Sequence, residues 1–192
     1  MKRTGIALLC LLLLTGCGRA QRAEEAQAYY AGLGAVELEA QVDCRTGEEV
    51  RSFTVRCSRG AEGDSTVTVL DPPELAGLTA QVSGEDLTLR WGDLALSMPG
   101  GAAVSPAECL PLLLRAAAEG YVLEEGRETL EGVPCLRLGL DVTGGGGETL
   151  LCALWLREAD HAPVYAEFTA GEQLALSARV TSFAAGAAGG KG

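Results

Sequence analysis

Histidine is almost missing from this chain, with His161 the only one in 192 residues. No Cys-x-x-Cys pair occurs either, so a zinc site would have to be assembled from scattered thiols. There is no Gly-x-Ser-x-Gly, no His-Glu-x-x-His and no glycine-rich loop placed before a helix to cradle phosphate. Gly144 to Gly147 leads into a strand pattern, so it lacks the helix terminus that phosphate binding uses and reads as a hairpin turn. Positive charge is also short, with 15 basic residues against 26 acidic. That balance opposes contact with nucleic acid and with anionic headgroups. Together these gaps argue against an enzyme, and no cofactor is expected. His161, beside Asp160 and Pro163, falls at a hairpin turn and reads as a surface residue rather than a general base. The acidic pairs Glu24-Glu25, Glu48-Glu49 and Glu124-Glu125 sit at element ends and read as solvated charges.

Long apolar runs are lacking too. The run from Ile6 to Leu14 has nine residues, and a helix across a bilayer needs about 20. It follows Lys2 and Arg3 and ends in Leu14-Thr15-Gly16-Cys17, the layout of a secretory signal with a small-residue cleavage site. The last four residues resemble the bacterial lipobox, which is cut just before a cysteine that carries a diacylglyceryl group. The other reading is a plain secretory signal with Cys17 near the cut by chance. On the lipobox reading, residues 1–16 are a signal peptide, Cys17 becomes the first residue and two acyl chains hold it to a membrane. Residues 17–22 form a short lipidated tether, 23–183 one domain and 184–192 a disordered tail. The mature chain is then extracytoplasmic and anchored, with 13 basic against 26 acidic residues, a charge of about −13. Of the seven cysteines, five then remain: Cys44, Cys57, Cys109, Cys135 and Cys152. An odd number leaves at least one unpaired within the chain, and small buried core thiols account for them most simply.

What the chain does have is alternation. Glu24 to Leu33 reads as a short amphipathic helix ended by Gly32 and Gly34. Then Val36 to Cys44 alternates apolar with polar, as do Phe53 to Cys57, Val67 to Val69, Leu78 to Val82, Leu87 to Trp91 and Leu94 to Met98. Short turns between them predict an antiparallel meander. Ser105-Pro106-Ala107-Glu108 has the form of a capping box, and a helix runs from there to Glu119. Pro111 either kinks this helix or marks a true start near Leu110. From Tyr121 the two-residue period returns, through Leu136 to Val142, Leu150 to Leu156, Val164 to Phe168 and Leu174 to Val180. Leu151, Ala153 and Trp155 make the Leu150 strand apolar on both faces, so a second layer is expected over it.

About ten strands with one apolar face have few helices to cover them. The expected fold is therefore α+β, mainly β, with a curved antiparallel sheet forming an unclosed barrel. Medium-sized aliphatics dominate, so a trough lined by them would accept acyl chains with little shape discrimination. The candidate lining is Leu38 and Val42, Phe53 and Val55, Val67 and Val69, Leu78 and Val82, Leu87, Leu89 and Trp91, and Leu94 and Leu96. From the mid-chain helix come Leu110 and Leu113, and from the later strands Leu136, Leu138, Leu140, Leu154 and Leu156. The competing reading is a filled core with no cavity.

Several pieces resemble the LolA-like family: the Tyr29-Tyr30-x-x-Leu33 helix leading into a strand, the stretch Val69-Leu70-Asp71-Pro72-Pro73-Glu74-Leu75-Ala76-Gly77-Leu78, and the mid-chain helix. The run from Gly132 through Leu154-Trp155-Leu156 to Pro163-Val164-Tyr165-Ala166-Glu167-Phe168 completes the match. That family includes the bacterial lipoprotein carrier, lipid-binding lipoproteins of mycobacteria and certain clostridial germination lipoproteins. The resemblance implies an unclosed barrel with helices in its mouth. It also implies either a lipid or acylated ligand held in the trough, or an accessory role that stabilises a cell-envelope enzyme such as a cell-wall amidase. The soluble carrier is not acylated, so Cys17 departs from that member.

Overall fold

A computed structural model describes residues 17–84, 86–100, 104–143 and 149–187. The signal segment, the turn at Gly144 to Gly147 and residue 85 of the Ser83–Asp86 turn lie outside the described residues. Alternation of apolar and polar positions builds eleven strands: β1 Leu33–Thr46, β2 Glu49–Arg59, β3 Ser65–Asp71, β4 Thr79–Ser83, β5 Asp86–Trp91 and β6 Leu94–Pro99, then β7 Tyr121–Leu130, β8 Val133–Asp141, β9 Leu150–Arg157, β10 Pro163–Ala170 and β11 Gln173–Ala187. Two helices accompany them, α1 Cys17–Ala31 and α2 Cys109–Glu119. All eleven strands share one antiparallel sheet in the order β6-β5-β4-β3-β2-β1-β11-β10-β9-β8-β7. It does not close, so β6 and β7 are its two edges.

Two meanders meet at the middle. In β1 the even positions Val36, Leu38, Ala40 and Val42 are buried while Glu37, Gln41 and Asp43 are exposed. The same face carries Val55 and Cys57 of β2, Val67 and Val69 of β3, Leu138 and Leu140 of β8, and Leu154 and Leu156 of β9. Leu110, Leu113 and Leu114 of α2 pack among them in a single apolar cluster. One helix reaching residues from both halves of the sheet requires the sheet to curve around it.

Three expectations need correcting. α1 starts at Cys17 rather than Glu24, so the 17–22 segment expected as a tether is helical. Arg, Ala and Gln in this stretch favour helix, and the turn is held where the Ala23 amide donates to Glu125 Oε2 at 3.3 Å. Residues Ala184 to Ala187 belong to β11 rather than to a disordered tail: Ala184 pairs with Glu37 and Ala185 with Val36. Ala184 to Gly186 are exposed, but the side of β1 they face offers backbone donors and acceptors that any residue can use. Residues 188–192 lie outside the described residues. No further helix or strand covers the outer side of β9 among the described residues. There Trp155 is shielded by Tyr165, with ring centroids 5.3 Å apart, and by the Arg137 guanidinium 5.3 Å from its ring.

Of the two starts open to the second helix, the later one is taken. α2 begins at Cys109, which places Pro111 in the first turn, where an amide proton would have no helical partner. The Ser105 hydroxyl donates to Glu108 Oε2 at 3.0 Å instead of capping the helix.

Candidate functional site on the concave face

The concave face is closed at its centre. Leu38, Val42, Val55, Val67, Leu110, Leu113, Leu136, Leu138, Leu140, Leu154 and Leu156 are each 2 % exposed or less, and Val69 and Leu87 little more. α2 supplies the plug because Leu110, Leu113, Leu114 and Ala117 face the sheet together. Its end is fitted closely. A Cβ on Gly120 would stand 2.6 Å from the Ala116 carbonyl oxygen and 3.2 Å from Leu140 Cβ. α1 lies over the same mouth: Tyr30 is buried and donates its hydroxyl proton to the His161 carbonyl at 2.8 Å, while Gln27 donates to the Gly120 carbonyl at 2.7 Å.

Toward β6 the plug runs out. Leu87 faces Met98, Leu89 faces Leu96 and Trp91 faces Leu94 across the β5–β6 pair. Directly opposed residues share a face, so these three pairs form a ladder on the concave side. Burial falls along it: Leu87 is 5 % exposed, Leu96 59 %, Trp91 52 % and Leu94 75 %. Phe53, Leu78, Val82, Leu89 and Met98 are partly buried and pack on the margin of the core. The twenty residues expected to line a trough are thus split between a filled centre and an open apolar ladder at one edge.

With that geometry in view, solved structures give the comparison. An uncharacterized conserved protein from Thermus thermophilus is 15% identical, matches 88% of each chain and has a TM-score of 0.52. A putative outer membrane lipoprotein-sorting protein domain from Vibrio parahaemolyticus is 14% identical over 87% of this chain and 92% of its own, with a TM-score of 0.50. A LolA superfamily protein from Nitrosomonas europaea is 11% identical over 86% of this chain and 92% of its own, with a TM-score of 0.48. The chain shares the fold of the first two of these structures. At these identities the likeness is one of fold. No protein-family model matches the sequence, and no curated protein does.

The sheet places the remaining candidates elsewhere. Cys44, Cys57, Cys109, Cys135 and Cys152 are all free thiols, and all but Cys44 are buried. Burial pushes the Cys57 and Cys152 thiols up to about 12, against slight lowering at Cys57 by Ser65. Burial raises Cys109 further still. Thiols held protonated in this way are not nucleophiles. Among the described residues no three His, Cys, Asp or Glu side chains are grouped to hold a metal.

His161 is half-buried, with its ring centroid 5.5 Å from that of Tyr29. Its neighbour Asp160 is held below the usual carboxylate range: desolvation pushes its pKa up but is outweighed by bonds from the Ala162 amide and the Arg157 side chain. Asp160 and Arg157 serve the β9–β10 turn. Glu125 departs from the solvated reading, since its Oε1 lies 3.8 Å from Arg22 Nε with the side chain only 8 % exposed. A hollow of about 330 Å³ opens on the opposite, convex face, lined by polar groups that include Gln41, Asp43, Ser52, Asp71 and Arg179. The signal that could have found it is the polar face of β1 and β2, which the sequence displays but which also describes an ordinary wet surface.

Proposed function

We propose that this chain is an extracytoplasmic lipoprotein, anchored through a diacylglyceryl group on Cys17, that holds a lipid or an acylated ligand against the open end of its concave face. The observation that carries this reading is the ladder Leu87/Met98, Leu89/Leu96 and Trp91/Leu94, which runs without a polar break on its concave face from the core to solvent. An acyl chain laid along it would cover side chains now in water and continue the packing of Val82 and Ala80 on β4. Each fully covered aliphatic side chain contributes about 1.5–3 kcal/mol. A description of lipoprotein sorting attaches to a protein of the same fold, which agrees with an acylated ligand.

Mass spectrometry of protein purified under native conditions without its anchor tests the ligand. Co-purifying lipid is expected, and Leu89→Asn should lower the amount bound roughly tenfold with the circular dichroism spectrum retained. A preparation free of lipid that also fails to take up added fatty acid overturns the reading. The anchor is tested apart from it: Cys17→Ala should move the protein from the membrane fraction to the soluble one.

A second reading has its own support. β6 reads Leu-Ala-Leu-Ser-Met-Pro, an edge strand without a charge, whereas the other edge, β7, carries Glu124, Glu125, Arg127 and Glu128. Uncharged edges accept an added strand. This suits a non-catalytic accessory role in which a cell-envelope enzyme such as a cell-wall amidase docks on β6. A stable stoichiometric complex with such an enzyme, formed by lipid-free protein and lost when Leu96 is replaced by Lys, is what it requires.

A further inference from the structure

Among the described residues six large apolar side chains stand exposed: Val50, Trp91, Leu94, Leu96, Tyr121 and Leu123. The strand registers put all six at one end of the sheet. β1 ends at Thr46 beside the start of β2 at Glu49, and β5 ends at Trp91 beside the start of β6 at Leu94. Across the centre Cys44 pairs with Leu176, so β11 begins at that end; Ala170 then pairs with Leu150, Leu151 with Asp141, and Asp141 with Tyr121. The start of β7 therefore lies at the same end as the β1–β2 and β5–β6 tips.

These residues share an end but not a face. Trp91, Leu94 and Leu96 are on the concave side, in line with buried Leu87. Val50 pairs with Arg45, next to the inward Cys44, and Tyr121 pairs with Asp141, next to buried Leu140, so both point to the convex side. A ligand in the trough would leave Val50 and Tyr121 wet. A strand added to β6 would leave β7 untouched. A plane laid across the end of the sheet covers both faces and both edges. We infer that this end of the sheet docks on the surface of a lipid bilayer, with Val50, Trp91, Leu94 and Tyr121 entering first and Leu96 and Leu123, two residues further along their strands, nearer the headgroups.

Chemistry favours that occupant. Trp and Tyr combine an apolar ring with a polar edge and suit the membrane interface. The chain carries a net charge of −11, and this end keeps that sign: Arg45, Arg51 and Arg90 are set against Glu48, Glu49 and Asp93, while Asp71, Glu74, Asp141 and Glu172 of the neighbouring turns and strand ends add negative charge, which excludes anionic headgroups. Contact through apolar insertion, with no basic patch, fits zwitterionic lipid. α1 passes the same end of β7, where Gln27 donates to the Gly120 carbonyl at 2.7 Å, and its Ala23 amide is bonded to Glu125, four residues along β7 from Tyr121. The inference goes beyond the proposed ligand and needs none. If Cys17 is acylated, its bilayer lies within about 10 Å of Ala23 along the helix.

The test uses the full protein reconstituted into dioleoylphosphatidylcholine vesicles with and without brominated acyl chains. Trp91 emission, isolated by subtracting the spectrum of Trp91→Phe, should shift to the blue and be largely lost to brominated lipid, while buried Trp155 is unaffected. Val50→Glu with Tyr121→Glu, two changes on the convex side and away from the trough, should restore most of the lost emission. Absence of quenching overturns the inference. So does quenching that these convex-side changes leave intact, which would place the lipid in the trough alone. A blue shift that appears without vesicles and grows with protein concentration would assign the end to a second copy and overturn it too.

Discussion

At the scale of single residues, the five thiols give the sharpest test. Folding holds Cys57 and Cys152 neutral up to about 12 because burial disfavours the thiolate. A thiol in the unfolded chain ionises near 8.5. The stability this contributes is complete below that unfolded value and is lost as pH rises from there toward the folded value. Each such thiol costs about 1.4 kcal/mol per pH unit through that window. Urea melts should therefore move to lower denaturant steadily above pH 9, and Cys152→Ala should flatten the slope by one proton. A melt independent of pH between 9 and 11 would contradict the burial. Labelling adds a direct check. Iodoacetamide applied to the native protein should modify Cys44 and spare Cys57, Cys109, Cys135 and Cys152, while without reductant all five should react after unfolding. Parity alone already required one thiol to be unpaired within the chain. The packing explains why all five are: Cys57, Cys109 and Cys152 fill the apolar core with Cys44 at its margin, and Cys135 is buried on the other face of β8 beside Glu128 and Glu158, so that they do not meet as pairs.

At the scale of elements, α2 decides whether the concave face is a trough or a core. Gly120→Ala would press a methyl against the Ala116 carbonyl and Leu140, so the end of the helix must lift. A loss of about 1–3 kcal/mol is expected, read as an earlier thermal midpoint, with Gly126→Ala at an open position as the control. Leu113→Ala should cost about 2–5 kcal/mol because its side chain is wholly buried among strand residues. Most strands were legible before any coordinates, since one face of each meets oil and the other water, and alternation records that directly. β7 was harder to read: Glu124, Glu125, Arg127, Glu128 and Thr129 give it almost no apolar face, and it is a strand because β8 holds it. The start of α1 was missed for a related reason. Gly18 and the two arginines look like a linker until Glu125, more than a hundred residues away, caps the turn at Ala23. The filled centre was illegible as well. Leu138 and Leu154 have the same pattern whether they line a void or touch Leu110, and only the depth to which α2 descends distinguishes the two.

At the scale of the whole molecule, the order of strands makes β11 the hinge of the fold. The six strands before α2 and the five that follow it meet only where β11, the last of the five, lies between β1 and β10. Leu176 and Ala178 of β11 are fully buried, and its ladder against β1 runs from Leu33 to Cys44. Removing residues 173–192 would expose the unpaired edges of β1 and β10 and strip one wall from around α2. Neither half retains a closed core of its own, because α2 is covered by both. That truncation should give no cooperative unfolding transition and should bind a dye for exposed apolar surface. Removing only 184–192 deletes the Ala184, Ala185 and Ala187 pairings, and Ala184 to Gly186 are exposed, so it should keep a single transition with a midpoint lowered by a few degrees. If the longer deletion still melted cooperatively, the two meanders would have to be independent units, and the long-range pairing of the last strand with the first would not be what curves the sheet around its helix.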